Sequence, residues 1–169
     1  MIAALSRFTR IAAEWLIRIA AAGLVLMTVI IGWQVFGRYV LNSSPSWSEQ
    51  ASLTLMIWYV SLGAAAGVRE GFHIRIVALE TAVGPRAQRV MRIASNGVVA
   101  VCGLAMLVYG GELVVETWQH VIPSLGLPRG VAYLGLPIAG ALIALFSLER
   151  ILEETQSKIT DDEEDPRWS

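Results

Sequence analysis

The chain has 169 residues, 55% of them hydrophobic and only 16% charged, with a formal net charge of −1. An ordinary soluble domain carries about 25% charged residues, so this composition argues against a water-soluble enzyme or a nucleic-acid-binding domain. The single cysteine, Cys102, excludes an intrachain disulfide framework.

Four stretches contain no Asp, Glu, Lys or Arg: 19–37, 50–68, 93–111 and 130–148, each 19 residues long. At 1.5 Å per helical residue such a stretch covers roughly 28 Å, close to the hydrocarbon core of a bilayer. A charge at the bilayer centre costs at least about 2.5 kcal/mol, and four uncharged windows of spanning length therefore predict an all-α integral membrane protein. Residues 1–152 form a four-helix transmembrane bundle in this reading, and 153–169 a cytoplasmic tail. The first window exceeds a signal-peptide core and runs into Trp33-Gln34-Val35-Phe36 rather than a small-residue cleavage site, so it is expected to stay as an anchor.

In chain order, span one leads into a polar segment holding Gln34, Arg38, Tyr39, Asn42, Ser44, Ser46, Trp47, Ser48 and Glu49. Ser46-Trp47-Ser48-Glu49 fits a capping box, and Trp33, Tyr39 and Trp47 suit an aromatic belt. In span two, Trp58 is the ninth of 19 positions, a depth at which packing on protein is favoured over lipid. Ser61, Gly63, Ala64 and Gly67 follow as a small-residue half-helix suited to close approach of another helix.

The connection to span three places Phe72, Ile76, Leu79 and Val83 at helical spacing before Gly84-Pro85. This predicts a short amphipathic interfacial helix over 72–83. The alternative is a plain turn whose arginines snorkel to phosphates. Arg86, Arg89 and Arg92 open span three and are candidates for lipid headgroups. The tail ends in Asp161-Asp162-Glu163-Glu164-Asp165, a like-charge block expected to be solvated and disordered.

Eleven of the 13 basic residues lie before span one, between spans two and three, or after span four; only Arg38 and Arg129 lie in the other connections. Positive charge favours the cytoplasmic side, which predicts that both termini and the central loop are cytoplasmic. No span holds an Asp or Glu, unlike a proton-coupled exporter. His73 and His120 follow spans two and three, a bilayer apart, so they cannot bind one haem iron. No Cys/His cluster suits zinc, and no metal, cofactor or enzymatic chemistry is expected.

Gln34-Val35-Phe36-Gly37-Arg38-Tyr39-Val40-Leu41-Asn42 followed by Trp47-Ser48-Glu49 resembles the small, DctQ-like membrane subunit of tripartite ATP-independent periplasmic (TRAP) transporters. Trp58, Leu62-Gly63-Ala64-Ala65, Arg69, His73 and Ile74 are similar too, as are Pro123-Ser124-Leu125-Gly126-Leu127-Pro128, Tyr133 and Pro137. The resemblance covers roughly residues 11 to 150; Gln50 departs from it, standing where the family often has a second acid. It implies a non-enzymatic subunit of the bacterial inner membrane that scaffolds a large elevator-type subunit. A periplasmic binding protein would deliver the substrate, usually an organic acid, for sodium-coupled uptake. Arg38, Glu49, Glu112 and Glu116 are then candidates for seating that binding protein, and Trp58, Ser61, Gly63, Ala64 and Gly67 for packing on the large subunit. The competing classes are a haem-binding or other redox membrane anchor and a self-sufficient exporter formed by dimerisation.

Overall fold

The computed structural model describes residues 2–43, 45–70 and 85–163. The helices are α1 (Ile2–Tyr39), α2 (Ser46–Glu70), α3 (Pro85–Thr117), α4 (Arg129–Tyr133) and α5 (Gly135–Glu163). A two-residue hairpin of β1 (Val121–Ile122) and β2 (Leu127–Pro128) joins α3 to α4. Among the described residues, four helical stretches are long and apolar enough to cross a membrane: Thr9–Tyr39, Ser46–Glu70, Ala87–Thr117 and Arg129–Leu152. Each contains one uncharged window and extends beyond it, because helices continue through the headgroup region where charge is tolerated. The proposed interfacial helix at 72–83, with His73, lies outside the described residues, as do Ser44 and the last six residues of the tail. α5 itself runs on past Leu152 to Glu163.

The fourth span carries a local interruption near its start, although its i→i−4 bonds run on through Leu134. Pro137 has no N–H to give the Tyr133 carbonyl, and the helix is interrupted at Leu134, whose backbone stays in the right-handed region (φ −55°, ψ −27°).

The spans stand in a row, α1–α2–α5–α3. α1 packs chiefly on α2, α2 on α5, and α5 on α3, so α1 and α3 form the two edges. Burial follows this order: none of the most apolar α1 window is buried, against 44% in Arg129–Leu152. A hydrophobic core cluster sits where α2 meets α5: Ala65 and Val68 against Ala139, Ile143 and Phe146. On α1, Trp15 and Trp33 are exposed eighteen positions apart, about 27 Å along the axis, which is the separation of the two interfacial belts. The Arg18 guanidinium lies 5.3 Å from the Trp15 ring centroid, and Trp33 packs near Phe36 with centroids 6.0 Å apart.

Candidate subunit interface and the polar contacts that shape it

The turn between α1 and α2 explains much of the first polar motif. Asn42 has φ 50°, a left-handed conformation that Asn adopts more readily than most residues. This brings the Ser43 N–H to the Gly37 carbonyl at 3.0 Å, and a Cβ on Gly37 would stand 2.7 Å from the Ser43 carbonyl oxygen. Gly37 and Asn42 are thus the residue types that this helix ending requires. The capping box takes a different form. α2 begins at Ser46, and it is the buried Ser48 whose hydroxyl donates to the Pro45 carbonyl at 2.8 Å; among the described residues no hydrogen bond joins Ser46 to Glu49.

The candidate packing residues of α2 divide between two faces. Trp58 donates its indole N–H to the Val131 carbonyl at 3.1 Å, and a Cβ on Gly135 would lie 3.3 Å from its Cα; this half-membrane Trp serves contacts with α4 and α5. Ser61 is buried and Ala64 exposed. Gly63 and Gly67 line an open apolar groove of about 450 Å³ between α1 and α2, with Ile17, Ala20, Leu24 and Tyr59 on its walls. A Cβ on Gly63 would meet only the Ala20 methyl, at 3.7 Å, and one on Gly67 would have nothing within 4 Å.

The tightest approach of two helices is elsewhere, and the sequence reading missed it. A Cβ on Gly140 of α5 would fall 2.6 Å from the Leu107 nitrogen and 2.7 Å from the Gly103 carbonyl oxygen; one on Gly103 of α3 would fall 2.8 Å from the Ala144 nitrogen. Pro137 abuts Gly110 in the same way, at 3.1 Å. The available signal was the seven-residue spacing of Gly103 and Gly110, which puts both on one helix face.

At the end of the array that holds Thr9, four polar residues from three helices meet. Thr9 donates its hydroxyl to Glu149 Oε1 at 2.9 Å and accepts from Arg69 Nε at 3.2 Å. Arg69 Nε lies 3.5 Å from Glu149 Oε2, and Arg150 Nη2 donates to the Arg69 carbonyl at 2.8 Å. Thr9 and Glu149 are fully buried. Removing Arg69 would take the guanidinium away from a buried carboxylate, which is the costly direction for such a pair. Of the arginines assigned to headgroups, Arg89 donates twice to the Glu154 carbonyl, at 3.1 and 2.8 Å, and Arg92 Nη1 lies 3.1 Å from Glu154 Oε1. Both therefore tie α3 to α5; the Arg86 side chain lies outside the described set.

The opposite end presents the remaining motif residues. Arg38, Tyr39, Trp47 and Glu49 are exposed there, as are Glu112, Glu116 and His120 near the end of α3; Gln34 is partly buried. Pro123 opens the turn of the hairpin and Pro128 ends β2; the tight return uses Gly126 at φ 66° and closes with both the Leu125 and Gly126 N–H groups on the Ile122 carbonyl.

Comparison with known proteins agrees with this architecture. Residues 27–157 match the family model for the DctQ component of tripartite ATP-independent periplasmic transporters. A putative TRAP transporter small permease protein of Haemophilus influenzae is 27% identical over 130 residues, covering 76% of this chain and 80% of that one. The sialic acid TRAP transporter small permease protein SiaQ of Vibrio cholerae is 22% identical over 132 residues, covering 74% and 72%. The C4-dicarboxylate TRAP transporter small permease protein DctQ of Rhodobacter capsulatus is 26% identical over 105 residues, 61% of this chain and 46% of that one. With the family model spanning most of the chain and four apolar helices of crossing length, this protein belongs to the DctQ component family of TRAP transporters, as a small permease subunit that passes several times through the bacterial inner membrane.

Proposed function

We propose that this subunit is a fixed scaffold for the large membrane subunit of a TRAP transporter, working with a periplasmic binding protein in sodium-coupled uptake of an organic acid. The observation that carries the reading is the open groove between α1 and α2. It lies in the membrane-crossing part of an edge pair, is lined by apolar side chains, and contains two glycines, Gly67 with open space around it and Gly63 with only the Ala20 methyl in contact range. Helix association in lipid depends on close packing at small residues, and this groove offers such a surface to a helix of the large subunit. Transport would then require both membrane subunits, and co-purification of groove variants with the large subunit tests the reading, as developed in the Discussion.

The scaffold is oriented with both termini cytoplasmic, supported by the distribution of basic residues. In a Cys102→Ala background, Leu41→Cys and Gln119→Cys should react with an impermeant thiol reagent applied outside intact spheroplasts. Ser157→Cys should react only after permeabilisation. The reverse pattern contradicts this orientation.

Arg38, Glu49, Glu112 and Glu116 then lie on the periplasmic side, where they help seat the binding protein. Complementary charge acts mainly on encounter rate and register and is screened by salt. Glu112→Lys/Glu116→Lys should lower uptake at limiting binding-protein concentration in low salt, with the deficit shrinking as salt weakens the wild-type attraction. Unchanged uptake at every ionic strength, with normal complex assembly, removes these two residues from the docking surface.

A further inference from the structure

The row of spans is built from two helix hairpins. α1 and α2 are joined by the Gly37–Pro45 turn, and α3 and α5 through the β-hairpin and α4. They meet where α2 faces α5, across Ala65 and Val68 on one side and Ala139, Ile143 and Phe146 on the other. Lipid tails are as apolar as these side chains, so burial supplies little drive to choose one register over another. Small residues such as Ala65 and Ala139 also fit against a neighbour shifted by a turn.

We propose that Glu149 is a register lock, a buried carboxylate whose contacts with Thr9 and Arg69 fix how the first hairpin docks on the second. The geometry is reciprocal. The Arg69 side chain reaches from α2 to the Glu149 carboxylate of α5, at 3.5 Å, while the Arg150 side chain reaches from α5 to the backbone of α2, at 2.8 Å. The Arg69 carbonyl lies in the last turn of α2. Thr9 adds α1 to the same node, donating to Glu149 and accepting from Arg69. A slip of one turn, about 5.4 Å, breaks all of these contacts together and leaves a charge buried without its partner. The lock therefore acts against misdocked arrangements as much as for the native one, a role attested for buried polar groups at helix interfaces.

The test uses the full-length chain in membranes, with Cys102→Ala and a single reporter, Ser147→Cys. Ser147 is fully buried in α5, and the exchange of oxygen for sulfur is nearly isosteric. With the lock intact the reporter should resist a membrane-permeant maleimide. Glu149→Leu should raise its labelling rate by about tenfold or more, as local opening becomes populated. The double variant Arg69→Leu/Glu149→Leu separates register from stability. Replacing both charges by apolar groups restores heat resistance, yet labelling should stay faster than wild type because the Glu149 contacts no longer oppose a slip, and only the Arg150 bond to the residue-69 carbonyl and the Trp58 bond to the Val131 carbonyl remain across the hairpins. Should Glu149→Leu fail to accumulate, Glu149→Gln keeps the shape and an acceptor for Thr9 but not the charge, and its reporter should also label faster than wild type. Wild-type protection in the double variant, or in Glu149→Gln, overturns the proposal.

Discussion

Replacing Gly140 with alanine should destabilise the isolated subunit by about 1–3 kcal/mol, the usual cost of overpacking a filled contact. The added methyl would sit 2.6–2.9 Å from three backbone atoms of α3, the Leu107 nitrogen, the Gly103 oxygen and the Met106 carbonyl carbon. Backbone in a helix cannot rotate aside as a side chain can, so α3 and α5 must separate along their length. That contact is the most extensive in the protein, and its loss frees the edge helix α3. Gly97→Ala on the same helix is the matched control, since a Cβ there meets nothing within 4 Å. Helix propensity predicts that this control is neutral or more stable by up to about 1 kcal/mol. Thermal unfolding in detergent, followed by size exclusion, distinguishes the two; equal midpoints would mean that the Gly103–Gly140 approach is not needed.

Gly67→Leu should behave in the opposite way. Open space surrounds the position, so the isolated subunit should unfold at or near the wild-type temperature. The leucine would nevertheless fill the groove between α1 and α2, and co-purification with the large membrane subunit should fall by tenfold or more, about 1.4 kcal/mol of lost association. A variant that loses the partner while keeping its own fold marks an interface; one that loses both marks a core position.

These two glycines also indicate what was legible in the sequence. Uncharged windows reveal depth, because the energetic penalty for a buried charge in lipid is large and independent of the neighbouring helix. The four spans follow from that penalty alone. Which face of a span meets which neighbour is a question of azimuth, and in lipid both faces are apolar. Gly63-xxx-Gly67 and the Gly103–Gly110 pair each put two glycines on one helix face, yet the first lines an open groove and the second is filled by α5. Trp58 was legible as a residue needing protein because its N–H demands an acceptor at mid-membrane depth; the Val131 carbonyl as that acceptor was not. Glu149 ends the fourth uncharged window and reads as a boundary residue, and only the convergence of α1, α2 and α5 makes it a buried partner. Arg89 and Arg92 read as headgroup ligands for the same reason, before α5 brings Glu154 beside them. The motif around Gly37 and Asn42 was legible as a family signature, and the left-handed turn supplies its physical basis.

Photocrosslinking would show whether the large subunit packs against the α1–α2 groove. A photoreactive amino acid at Ala64, exposed and next to Gly63, would be compared with one at Val101, on the exposed face of α3 at the other edge. In cells producing both membrane subunits, a covalent adduct between the two should form from Ala64 and little or none from Val101. Capture of the large subunit from Val101, with only lipid adducts from Ala64, would place the interface on the opposite edge and rule out the groove as its seat.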